Sequence, residues 1–208
     1  MNGIPDMPRV TLHPGEHVVT KDVKLISTLL GSCVAVCLWD PVARVSGMNH
    51  FMLVNRRYAR NIPVNISDAG RYGVHAMELL INDMMRMGAD RKRLRAKAFG
   101  GGAVIELGCK ENFLCVGDIN VRFIREFLET EKIPLEAADL GGELGRVIRF
   151  RTDTWTVYRK FIVKTATENI ERKELGYWRR KLEEHEKKAD EVILFDSKDD
   201  TWKNKKTD

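Results

Sequence analysis

A chain of 208 residues with 43% hydrophobic and 31% charged side chains has the apolar content for one substantial core, which excludes a wholly disordered protein. No apolar run approaches the ~20 residues of a membrane span, and residues 1–14 carry Pro5, Pro8 and Pro14 instead of the apolar centre of a secretion signal, so a cytoplasmic protein without membrane insertion is expected. The net charge of +5 arises before residue 165, around Arg56, Arg57, Arg60 and Arg91–Arg93; with no aromatic residues interleaved, it reads as a solvated face or a dock for an acidic protein, and no nucleic-acid partner is expected.

In chain order, residues 1–20 read as loop-rich, with a turn at Pro14-Gly15. Val23–Leu30 reads as a strand ending at Gly31. Cys33–Trp39 is a continuous apolar run of strand length, as expected of a strand buried on both faces. Asp40-Pro41-Val42-Ala43 has the composition of a tight β-turn and leads into a strand over Val45–Val54. A long polar loop is expected over 55–70, then an amphipathic helix over Tyr72–Met87 closed by Gly88. Strands are expected over Leu94–Phe99, Phe113–Val116, Ile133–Ala138, Arg146–Arg151 and Thr154–Val163, with a helix starting near Asp118. After about Lys164 the composition turns densely charged. Residues 1–164 are therefore read as one domain, and 165–208 as a charged helical extension (Thr167–Ala189) with a disordered tail from 196; the extension is a solvated appendage by default, the alternatives being a helix packed back on the domain or one that binds a partner through Trp178.

Chemistry concentrates at Gly31-Ser32-Cys33 and His50. A two-residue hairpin turn at Pro41-Val42 sets Cys33 directly across from His50, on the same face and within reach of proton exchange. A one-residue bulge would put them on opposite faces. Backbone N–H groups at the start of the Cys33 strand offer an oxyanion site, and Ser27 or Thr28 offers a hydroxyl to orient the imidazole. The plainer alternative is a core cysteine and a satisfied buried histidine. The four cysteines (Cys33, Cys37, Cys109, Cys115) form no Cys-x-x-Cys, and the five histidines lack metal-ligand spacing, so neither a disulfide framework nor a zinc site is expected. Gly100-Gly101-Gly102 lacks the Gly-Lys-Ser/Thr ending of a phosphate loop and reads as a turn allowing close backbone approach.

Gly31-Ser32-Cys33-Val34, His50 in Asn-His-Phe-Met-Leu, Gly101-Gly102-Ala103, Gly117 with Asn120, and Gly141-Gly142 with Arg146 together resemble the CheD family of chemoreceptor glutamine deamidases, over about residues 15–164. The resemblance implies an α/β fold of packed mixed β-sheets flanked by helices, similar to deamidases of the cytotoxic necrotizing factor type. It implies a protein-glutamine glutaminase that converts receptor glutamines to glutamate through a thioester. Its residues would be Cys33 as nucleophile, His50 as base and Ser27, six positions before the cysteine, as third residue, with no cofactor. Methyl-accepting chemotaxis receptors are the implied partners, with a CheC-type phosphatase as a further one. The competing readings are a regulatory module that binds receptors or such a phosphatase, and a cysteine peptidase; the latter lacks the cysteine-then-distant-histidine order of papain-like chains.

Overall fold

The computed structural model describes residues 7–53, 68–104 and 116–162, together with Glu174, Gly176, Tyr177 and Arg180. Among the described residues, nine strands form two sheets. β1 (Arg9–Leu12), β3 (Leu25–Leu30), β8 (Arg146–Arg151) and β9 (Val157–Phe161) make one, in the order β1-β3-β8-β9. β2 (His17–Thr20), β5 (Val45–Phe51), β4 (Val34–Asp40), β6 (Arg95–Gly100) and β7 (Leu135–Leu140) make the other, in the order β2-β5-β4-β6-β7. The sheets are mixed: β1-β3 and β6-β7 run parallel and the remaining pairs antiparallel. Helices α1 (Asp68–Arg86) and α2 (Val116–Thr130) complete the α/β fold of packed mixed sheets.

β4 explains the layering. All seven of its residues are buried, and side chains alternate across a strand. Val34, Val36 and Leu38 join one core with Met77, Leu80, Ile81 and Met84 of α1 and Phe123, Ile124 and Phe127 of α2. Ala35 and Cys37, with Cys33 just before the strand, join a second core with Ile26 and Leu30 of β3 and Ile148 and Phe150 of β8. One strand thus divides the core between the sheets from the core beneath the helices, and the apolar run in the sequence records both.

Four expectations change. Residues 1–20 hold two short strands, β1 and β2, where loop was expected; at four residues each they carry little pattern of their own, and their pairing to β3 and β5 defines them. Asp68–Gly70, expected as loop, already belong to α1, and Val116 opens α2 instead of closing a strand. The hairpin after β4 is wider than two residues: Asp40 pairs with Val45, leaving Pro41–Arg44 as the loop, with Arg44 at φ 51°. The rest of the 55–70 loop, most of the 113–116 strand, Cys109, Cys115, most of the extension helix and the 196–208 tail lie outside the described residues.

The wider loop follows from Asp40. Its carboxylate accepts from the N–H groups of Val42 (2.8 Å) and Ala43 (3.1 Å), from the N–H of Asp90 (2.8 Å) and from the Arg93 guanidinium (2.8 Å). Burial alone would raise its pKa, but Arg93 and these N–H groups outweigh it and hold the carboxyl well below the usual range. Asp40 therefore ties the hairpin to the 3₁₀ turn Arg91–Arg93 that leads into β6. Asp40→Ala is expected to lower stability by about 3 kcal/mol, since it leaves buried donors without acceptors; urea unfolding at neutral pH measures the loss.

Candidate functional site

Residues 31–33 link β3 of one sheet to β4 of the other, and every backbone carbonyl of this turn is held from behind. The Gly31 carbonyl accepts from the N–H of Gly102 (2.8 Å), and the Cys33 carbonyl from the N–H of Gly101 (2.7 Å). The Ser32 carbonyl accepts from Asn120 Nδ2 (2.8 Å). Glycine at position 100 is needed for this approach: φ is +114°, and a Cβ there would lie 2.2 Å from the Cys33 carbonyl oxygen. Close backbone approach is thus what the glycine run provides. Asn120 also accepts from the Leu53 N–H (2.8 Å), so one buried amide fixes both the turn and the chain just after β5.

With the Gly31 and Ser32 carbonyls drawn backwards, the N–H groups of Ser32 and Cys33 point forward and meet that of Gly31 at one place, making a nest for a negative oxygen. The side-chain carboxylate of Glu174 fills it. Oε1 accepts from Gly31 (2.8 Å) and Cys33 (3.3 Å), and Oε2 from Ser32 (2.8 Å). Nothing in the sequence marks this glutamate within a charge-dense extension. The solvated default fails for Glu174 and Tyr177, which are buried against the core.

His50 lies on β5 opposite Ala35, not opposite Cys33. The hairpin register differs from the expected one by two residues, so parity is kept: Cys33 and His50 share the face between the sheets as diagonal neighbours. Cys33 Sγ, a ring nitrogen of His50 and a carboxylate oxygen of Glu174 lie within 4.8 Å of one another. That donor set has the chemistry of a metal site, but both carboxylate oxygens are already engaged by N–H groups, so the arrangement is better described as an anion in a nest beside a thiol.

The structure brings Thr28, not Ser27, to the imidazole. Thr28 Oγ1 lies 2.7 Å from His50 Nδ1 and donates its own proton to the Leu12 carbonyl at 2.8 Å. With that proton committed, Thr28 is the acceptor and Nδ1 carries the hydrogen, which leaves Nε2 as a lone pair. Nε2 is buried without a hydrogen-bond partner among the described residues. Ser27 sits on the opposite face of β3, where it donates to the Val10 carbonyl at 3.3 Å. Arg146 is buried and acts at a distance: it bonds Asp139 Oδ1 (2.9 Å) and the Gly141 carbonyl, fixing the turn whose Gly142 carbonyl accepts from the Ala103 N–H (2.7 Å).

Burial decides protonation here. It pulls His50 down to about 3, an effect that the nearby Leu12 carbonyl partly offsets. It pushes the Cys33 thiol well up, and the Glu174 carboxylate adds to that rise. The site as it stands holds a neutral thiol and a neutral imidazole. Beside them a cavity of about 210 Å³ is lined by Leu12, His13, Leu29, His50 and Glu174.

The model of the family described as CheD chemotactic sensory transduction matches residues 52–161. The chain is 48% identical over 190 residues to the probable chemoreceptor glutamine deamidase CheD 1 of Geobacter sulfurreducens, covering 89% of this chain and 93% of that one. It is 44% identical over 193 residues to the probable chemoreceptor glutamine deamidase CheD 2 of Shewanella oneidensis, covering 89% and 94%. Among solved structures it is similar to the hypothetical protein YfiH of Bacillus licheniformis, with 16% identity, a TM-score of 0.38, and 59% and 49% of the two chains covered.

Because the folded pKa of His50 lies below its unfolded value of about 6.5, the unfolded chain binds a proton that the native chain refuses, and stability present above that value is lost as pH falls toward 3. Urea unfolding between pH 7 and 5 should show a steeper loss for the native sequence than for His50→Asn, by at most about 1.4 kcal/mol per pH unit. Asn120→Ala should cost about 2 kcal/mol by leaving a buried N–H and a buried carbonyl unpaired; thermal unfolding tests this, and an unshifted midpoint would remove Asn120 from the support of the turn.

Proposed function

Since the chain belongs to the CheD family, we propose that it hydrolyses glutamine side chains of chemotaxis receptors to glutamate, with Cys33 as nucleophile, His50 as base and Thr28, in place of Ser27, as the residue that orients His50. The observation that carries this reading is the convergence of three N–H groups beside a thiol and an imidazole with a free Nε2. In the working complex the substrate carboxamide takes the position of the Glu174 carboxylate, its oxygen in the nest.

Nε2 of His50 then takes the thiol proton as sulfur bonds to the carboxamide carbon, and the N–H groups of Gly31, Ser32 and Cys33 hold the resulting oxyanion. Each such donor is worth about 3 kcal/mol to the transition state. The tetrahedral intermediate expels ammonia, which leaves with the proton from His50. Water, deprotonated by Nε2, attacks the thioester, and departing sulfur regains its proton. The products are glutamate and ammonia, and no step draws on a metal or organic cofactor. Cys37, buried between the sheets with its thiol held protonated, takes no part.

A purely regulatory module would have no use for nest, thiol and base in one place, so the enzymatic reading is preferred; a CheC-type phosphatase remains a proposed binding partner. The receptor region acted on is taken to be cytoplasmic. Among the described residues no helix is long and apolar enough to cross a membrane.

Incubation with a receptor cytoplasmic fragment should raise fragment mass by about one dalton per converted glutamine, and Cys33→Ala should abolish the rise. Thr28→Val should lower kcat/KM by about a hundredfold through misoriented imidazole, while Ser27→Ala stays within about twofold. The opposite ranking would return the orienting role to Ser27.

A further inference from the structure

The carboxylate in the nest belongs to the chain itself. Glu174 is 2% exposed, and among the described residues no lysine or arginine forms an ion pair with it. A buried carboxylate without a counter-cation is stable only where N–H donors replace its water, and these three N–H groups are the ones that would receive the oxyanion. Glutamate is also what the proposed reaction makes. Its γ-carboxyl is the group that a deamidated side chain presents at the moment of release, at the same distance from its backbone.

A second contact fixes the segment. Glu174, Gly176 and Tyr177 are helical, so Tyr177 lies one turn beyond Glu174 on the same side. Its ring is buried in the core between the sheets, and its hydroxyl lies 2.6 Å from that of Tyr72 on α1. It packs on Gly15, where a Cβ would come within 2.8 Å of the hydroxyl, and the Gly15 N–H donates to the His50 carbonyl at 2.7 Å. The latch therefore sits on the loop that holds the base, while Glu174 sits on the turn that holds the nucleophile. With both in place Cys33 is fully buried and His50 is 2% exposed.

We propose that the segment carrying Glu174 and Tyr177 is an internal competitor of the substrate: Glu174 occupies the product's position, Tyr177 latches it there, and the enzyme stays closed until a glutamine-bearing segment displaces them. The seated form is inactive on two counts. The acyl-oxygen site is filled, and a carboxylate beside the thiol opposes formation of the thiolate. Activity is then set by the fraction of molecules in which the segment has left, because apparent affinity scales with the competent fraction.

The occlusion stands on geometry alone; only its description as product mimicry rests on the deamidase reading, and the experiment separates the two. The full chain is compared with Glu174→Ala and Tyr177→Ala, each checked for folding by thermal unfolding. Alkylation of Cys33 by iodoacetamide, followed at that peptide by mass spectrometry without receptor, should quicken by about tenfold or more in both variants if the seated form dominates. Alkylation at the wild-type rate in two folded variants overturns the proposal. Glu174→Gln supplies the second readout, since it places a carboxamide in the nest. With water it should convert to glutamate and ammonia within the same molecule, gaining about one dalton at residue 174, and Cys33→Ala in the same chain should prevent it. Quickened alkylation in the two alanine variants, with no conversion of the Glu174→Gln chain or of a receptor fragment, upholds the occlusion and overturns the deamidase reading.

Discussion

The candidate site depends on how the peptide units around residues 31–33 are aimed. A backbone carbonyl and the N–H of the following residue point in opposite directions, so anchoring one end of the unit directs the other. Gly101, Gly102 and Asn120 draw three carbonyls into the protein. The peptide units anchored at the Gly31 and Ser32 carbonyls thereby aim the N–H groups of Ser32 and Cys33, which converge with the Gly31 N–H on one point. In a buried setting such donors demand an acceptor, and they hold a negative oxygen without having to reorganise. The glycines beneath them and the Asn120 side chain are best understood as support for that arrangement. Arg146 belongs to the same support at one remove, through the Gly141-Gly142 turn.

The second constraint is the two-sidedness of β4. Because the strand is buried on both faces, its odd and even residues belong to different cores, and parity has a high cost of error. The hairpin register settles on a four-residue loop stapled by Asp40, and the histidine still arrives on the face of the cysteine. Any register of the right parity brings Cys33 and His50 to one side; the side chains around them then decide whether they are diagonal or opposed. This tolerance explains why a turn two residues wider than expected still leaves Cys33 and His50 on one face.

Burial sets the resting chemistry. A thiol and an imidazole removed from water remain neutral, and a carboxylate lodged beside the thiol reinforces that state. The proposed exchange of Glu174 for a substrate carboxamide would remove a negative charge from the nucleophile as it delivers the electrophile. Occupancy of the nest and ionisation of Cys33 would then be coupled, so that the thiol becomes reactive when there is something for it to attack.

The amino-acid sequence by itself determined the two-sided β4, the helices α1 and α2, β8 to the residue, and the candidate cysteine and histidine, because burial period, glycine placement and residue chemistry are local properties written into consecutive positions. It also carried the five blocks by which the family resemblance was drawn. Only the tertiary structure decided which hydroxyl meets His50. Leu25, Ser27 and Leu29 face one way and Ile26, Thr28 and Leu30 the other; with apolar residues on both sides of β3, neither face of Leu-Ile-Ser-Thr-Leu-Leu announces itself as the inner one. Likewise β1 and β2, too short for a pattern of their own, exist through their partners. Glu174 is the extreme case: one glutamate among many in a charged segment, distinguished only by the three N–H groups that the fold assembles more than 140 positions earlier in the chain.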